Sequence, residues 1–102
     1  MKKALLLAGV LLTSFGAQAT APEEILKKSG CTACHAIDKK MVGPSYKVVA
    51  EKYKGKDASA DLIAKVRKGG SGVYGPVPML PNPPDKISDA DLKSVVEWIQ
   101  TL

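Results

Sequence analysis

Residues 69–84 read Gly-Gly-Ser-Gly-Val-Tyr-Gly-Pro-Val-Pro-Met-Leu-Pro-Asn-Pro-Pro, a stretch that holds five of the chain's seven prolines. Proline fixes φ and removes a backbone donor, so this segment suits neither a helix interior nor a central strand. A sixteen-residue loop without regular structure is uncommon in a small domain and tends to be functional. Its prolines allow it to be ordered without being regular. Whatever fold the chain adopts has to pack around it.

The remaining chain is short. Lys2 and Lys3, an apolar run of 12 residues from Ala4 to Phe15, and Ala17-Gln18-Ala19 together read as a secretory signal with an A-x-A cleavage site. The apolar run falls below the roughly 20 residues that a transmembrane helix needs, so no stable membrane insertion is expected. With the signal over 1–19 and one domain over 20–102, the mature protein has 83 residues, 13 basic and 10 acidic, for a net charge of +3. Its aromatics are Tyr46, Tyr53, Tyr74 and Trp98. A side-chain core is often marginal at this size, which predicts that something bulkier fills the middle.

Four helices are predicted. The first starts at Pro22, carries Glu23 and Glu24 in its first turn, and stops at Gly30. Ser45 introduces a second over 46–53, with Tyr46, Val49, Ala50 and Tyr53 at helical spacing. Asp57 or Ser59 introduces a third over 58–68, with Leu62, Ile63 and Val66 on one face and Gly69-Gly70 as its end. In the fourth, Ser88 and Asp91 resemble a capping box, and Leu92, Val95, Val96, Ile99 and Leu102 form one apolar stripe. No segment alternates as a strand, so the expected class is all-α.

Cys31-Thr-Ala-Cys34-His35 is the C-x-x-C-H pattern of c-type haem attachment. Two thiols spaced by two residues reach the two vinyl groups of one porphyrin, and the adjacent histidine is placed to ligate iron. Export fits such attachment. A thioredoxin-like pair normally accompanies a strand-helix-strand pattern that is missing here. Structural zinc wants a fourth ligand that the sequence does not supply, and a disulfide across two residues restrains little chain. His35 is the only histidine, so the sixth iron position is open or filled by another residue type. Met41 lies close behind His35 and reads as core filler. Met79, within the proline loop, is the candidate axial ligand, and thioether ligation raises the potential relative to histidine.

Cys31-Thr-Ala-Cys-His-Ala-Ile-Asp38, Lys40-Met-Val-Gly-Pro-Ser-Tyr-Lys47, Gly72-Val-Tyr-Gly-Pro-Val-Pro-Met79 and Ser88-Asp-Ala-Asp91 occur in one order. Together they make the chain resemble the small class I cytochromes c of bacteria, the cytochrome c-551/c-552 group, over nearly all of 22–102. The resemblance implies about four helices wrapped around one haem c, covalent through Cys31 and Cys34, with His35 and Met79 as iron ligands. By the same resemblance, the Pro44 carbonyl accepts the proton on the other ring nitrogen of His35, and Asn82 hydrogen-bonds near the axial methionine. Tyr74 and Lys65 stand where the group commonly has a tryptophan and an arginine that contact a haem propionate. Each keeps a donor but changes its reach or fork geometry. Leu80 replaces a common proline, and Trp98 matches an aromatic position best explained by core packing.

The function implied is a periplasmic one-electron carrier, not an enzyme, since both axial positions are filled and no general acid or base is left beside an open one. The expected partners are an upstream respiratory complex and, as acceptor, a nitrite reductase, a cytochrome c peroxidase or a terminal oxidase. Lys39, Lys40, Lys47, Lys65, Arg67 and Lys68 are candidates for steering an acidic partner. The high pI reflects a modest lysine excess without a nucleic-acid-binding motif, and a monomer is expected. The rival readings are a ligand-binding haem sensor, a thiol oxidoreductase, and an obligate small subunit of a larger respiratory enzyme.

Overall fold

The computed structural model describes Gly9 and residues 20–102; the expected signal segment and its cleavage site lie outside the described residues. Among these residues four α-helices and one 3₁₀ turn follow in order: α1 Pro22–Lys28, the turn Cys31–Ala33, α2 Tyr46–Lys52, α3 Ser59–Lys68 and α4 Asp89–Ile99. Among the described residues there is no strand, only an antiparallel bridge between Gly70 and Met79. No helix among them is long and apolar enough to cross a membrane.

Local chemistry accounts for most helix ends. α1 has Pro22 at its start, Glu23 and Glu24 in its first turn and Lys27 and Lys28 in its last, each charge matching the helix dipole. Gly30, at φ 79°, takes the left-handed conformation that turns the chain from α1 into Cys31. The Ser45 hydroxyl accepts from the Val48 N–H at 3.1 Å, and the Ser88 hydroxyl accepts from the Asp91 N–H at 3.2 Å, so both predicted serine caps are made.

The start of α3 is closed differently. Its N-cap is Ala58, which has no capping side chain. The Ala58 N–H donates to Gln100 Oε1 at 2.8 Å, and Gln100 Nε2 donates to Ser59 Oγ at 2.9 Å. The side chain that satisfies this helix end comes from the last residues of the chain. Asp57 contributes a weaker local bond, accepting from the Ser59 N–H at 3.2 Å.

α4 is the centre of the packing and contacts all three other helices. Leu92, Val95, Val96 and Ile99 are buried against Ile25 and Leu26 of α1, Tyr46 and Val49 of α2, and Ile87. Ile25, Leu92 and Val96 are the most completely buried large side chains, each stabilising by about 1.5–3 kcal/mol on transfer alone. The Trp98 ring meets Tyr46 edge-on at 6.2 Å and packs on this core.

Two sequence expectations fail. Leu102 leaves the apolar stripe and is 40% exposed, because the chain tightens after Ile99 into a turn with Thr101 N–H donating to Trp98 O. Met41 is no core filler. It is 41% exposed on the bend before α2, where its N–H is engaged by the Gly43 carbonyl.

Candidate cofactor site

Between the helices and the proline loop lies a cavity of about 550 Å³, within the roughly 300–1,000 Å³ of cofactor-sized pockets. Its apolar wall includes Leu26, Val49, Leu62, Val66, Val95 and Val96, one or more from every helix. The predicted face of α3 is therefore only half-buried, since Leu62 and Val66 look onto the cavity as well as the core. Cys31, Cys34, His35, Pro44, Lys65, Tyr74, Met79 and Asn82 all lie on this same wall.

The 3₁₀ turn brings the first three of these together. The Cys34 and His35 N–H groups both donate to Cys31 O, at 3.2 and 3.0 Å, which winds the two thiols and the imidazole around one short turn. Both thiols are free, Cys31 half-buried and Cys34 exposed. Burial pushes the Cys31 thiol above its ordinary range, partly offset by the nearby Lys86 ammonium.

His35 is held from behind. Its Nδ1 bonds the Pro44 carbonyl at 2.8 Å, which assigns the ring proton to Nδ1 and leaves Nε2 with a free lone pair. The ring also stacks on Tyr46 at 5.2 Å between centroids. Gly43 is required by space: a Cβ there would overlap the imidazole. Pairing of Gly43 N–H with Cys34 O, and of Tyr46 N–H with Ala36 O, ties the two stretches of backbone together at 2.8 and 3.0 Å.

Met79 is fixed through its backbone. Its N–H donates to Gly70 O at 2.9 Å and its carbonyl accepts from the Gly70 N–H at 3.0 Å, closing the neck of the 70–79 loop. Gly69, at φ 71°, lies so close to the Met79 carbonyl that a Cβ would collide with it. Asn82, 7% exposed, donates from Nδ2 to Leu80 O at 3.0 Å and Val66 O at 3.3 Å. Its amide thus holds the backbone beside Met79 to α3.

The Tyr74 phenol oxygen is buried without a hydrogen-bond partner among the described residues, and burial raises its pKa. Lys65 is half-buried on the same wall. On a wall that is mostly apolar but also carries Lys40, Lys86 and the single carboxylate Asp61, an orphaned phenol and the Lys65 ammonium fit a ligand that is apolar in its body and carries carboxylates. Paired thiols, an imidazole with its lone pair free and a thioether complete a donor set suited to iron porphyrin. The residues present fit haem c.

Sequence reading took Arg67 for a surface cation and missed several wall residues. Among the proposed steering cations only Lys40 and Lys65 line the cavity. Arg67 is turned inward onto the carbonyls of Asn82 and Ile87 and onto Asp89. Lys86, from the turn before α4, joins the wall instead, as does Tyr53. Val42, Val73, Val77 and Leu80 line the cavity and are 50–72% exposed. No local pattern marks these residues, because they meet only when the 40–43 bend and the proline loop come to one opening.

Comparison with known proteins agrees with this geometry. Residues 19–102 match the family model described as cytochrome c. A cytochrome c-551 of Azotobacter vinelandii is 52% identical over 80 residues, covering 78% of this chain and 94% of the relative. A cytochrome c-552 of Hydrogenobacter thermophilus is 45% identical, covering 100% and 99%. The crystal structure of Nitrosomonas europaea cytochrome c552 superposes with a TM-score of 0.73 at 44% identity, covering 78% of this chain and 98% of that one.

Proposed function

Since this chain belongs to the cytochrome c family, we propose that it is a periplasmic electron carrier whose single iron is held by His35 and Met79. That it is a monohaem electron carrier with one covalently attached haem c follows from the family and its relatives. The ligand set, the location and the partners are the further reading.

One observation carries the ligand set. The cavity wall holds His35, with Nδ1 already spent on Pro44 O, and Met79, with its backbone locked to Gly70. Each ligand atom is left unengaged while the residue that bears it is immobilised. The haem supplies the one-electron couple, and the chain supplies everything that keeps the couple fast and selective. Pro44 holds the histidine tautomer and raises its basicity. Asn82 and Gly70 hold the thioether side, so little has to move between oxidation states. Tyr74 and Lys65 would hold the propionates, the first as a neutral donor and the second as a cation.

The expected partners are redox proteins: an upstream respiratory complex as donor, and a nitrite reductase, a cytochrome c peroxidase or a terminal oxidase as acceptor. Lys40 and Lys86 beside the exposed Val42, Val73, Val77 and Leu80 suit a transient contact with an acidic rim around an apolar centre. With His35 and Met79 both holding the iron, no coordination site would remain for a substrate.

The test is the absorption spectrum of the purified holoprotein, oxidised and reduced, with Met79→Ala beside it. The expected result is a low-spin spectrum with the weak far-red sulfur-to-iron band in the ferric wild type. In Met79→Ala that band vanishes, the potential falls and the ferrous form binds carbon monoxide. A high-spin wild type that binds carbon monoxide readily at neutral pH would instead assign the protein to ligand sensing.

A further inference from the structure

Arg67, near the end of α3, spends its guanidinium inside the fold. Nη1 donates to Asn82 O at 3.0 Å and to Ile87 O at 2.8 Å, and Nη2 pairs with Asp89. The arginine side chain is 20% exposed and the aspartate side chain 89%. The two carbonyls stand at the two ends of the turn joining the proline loop to α4. Three elements, α3, that turn and the start of α4, meet on one planar group.

Met79 sits between two attachments to the same end of α3. On one side it pairs with Gly70, two residues past the last residue of α3, Lys68. On the other, Leu80 O is held by Asn82 Nδ2, the Asn82 N–H donates to Val66 O at 3.0 Å, and Asn82 O is held by Arg67. Remove the guanidinium and the second attachment keeps only neutral bonds. Bonds from a charged donor to partly buried carbonyls are the stronger kind, whereas an ion pair to a carboxylate as exposed as that of Asp89 contributes little.

We infer that Arg67 is a positioning residue for the sixth iron ligand: its fork on Asn82 O and Ile87 O keeps the loop closed, and with it the thioether at its post. The inference rests on the reading of Met79 as that ligand. It also removes Arg67 from the surface charge available to a partner.

The probe is imidazole, titrated into the ferric holoprotein while the far-red band is followed. Imidazole enters only when the thioether leaves, so its apparent affinity measures loop opening. Arg67→Leu is expected to raise that affinity about tenfold or more, from the loss of charge-assisted bonds. Arg67→Lys should fall between, since an ammonium cannot fork to two carbonyls in one plane. Asp89→Asn should stay within about twofold of wild type. Gln100→Ala is the control, loosening α4 from α3 far from Met79. It should lower the denaturation midpoint and leave the imidazole affinity alone.

If Arg67→Leu loses stability with imidazole affinity within about twofold of wild type, as for Gln100→Ala, Arg67 only braces the fold and the inference is overturned. Should Arg67→Leu fail to fold, Arg67→Lys decides the same question on the same two readouts. A wild type without the far-red band would overturn the ligand reading before any Arg67 variant is made, so the two failures are distinct.

Discussion

At the scale of single residues, the site works by committing one atom of a side chain so that another is free. His35 gives its Nδ1 proton to Pro44 O and keeps Nε2 available. Tyr74 is the opposite case, a phenol with its oxygen buried and no partner among the described residues. Burial raises its pKa, so it stays a neutral donor beyond the ordinary tyrosine range near ~10. Below that range both folded and unfolded states hold the proton and stability does not change through this group. Above it the unfolded chain ionises first, and stability falls as pH rises. A phenolate-absorbance titration of wild type minus Tyr74→Phe should give a difference curve with its midpoint above ~10, and an ordinary midpoint would show the phenol to be wet. That Cys31, Cys34, His35 and Met79 share one cavity wall is legible in the sequence, because attachment chemistry dictates the first three at fixed spacing and because a methionine among prolines has no core to fill. Met41 was misread for the same kind of reason, since composition alone says nothing of which methionine a bend leaves outside.

At the scale of elements, the helices are ordinary and their couplings are not. Ser45 and Ser88 cap their own helices, and such local bonds can be read from a sequence. The clasp of Gln100 on Ala58 and Ser59 spans 42 and 41 residues, and no local pattern reveals it. Gln100→Ala should cost about 1–2 kcal/mol, the value of a lost cap and its hydrogen bonds. Leu92→Ala, at the centre of α4, should cost about 2–5 kcal/mol. Denaturant unfolding of the holoprotein measures both, and the order of the two would reverse only if the core relaxed around Leu92. The same distinction explains why Arg67 looked like one more surface cation. A basic residue in the last turn of a helix is favoured by the dipole, and only the folded chain shows carbonyls 15 and 20 residues away closing on it.

At the scale of the molecule, the described residues form a shell of four short helices and a loop around a cavity of about 550 Å³. Apolar side chains from every helix face that space, so the cofactor is as much core as reagent. Cys31→Ala/Cys34→Ala, which cannot attach haem, should therefore lose cooperative unfolding and the fixed environment of Trp98. Near-ultraviolet circular dichroism during a denaturant titration reads both, and a sharp two-state transition in that variant would show that the side chains suffice. The size of the chain foretold this need, whereas the shape of the shell depended on pairings between distant segments. The neck formed by Gly70 and Met79 has one more consequence. Residues 71–78 are closed off from the rest of the chain at that neck, with a separate turn at the tip where Gly72 N–H meets Gly75 O. The loop is thus a closed unit: substitutions at exposed positions such as Val73 and Val77 change the face it shows to a partner, while the paired stem keeps Met79, and the turn keeps Tyr74, where they are.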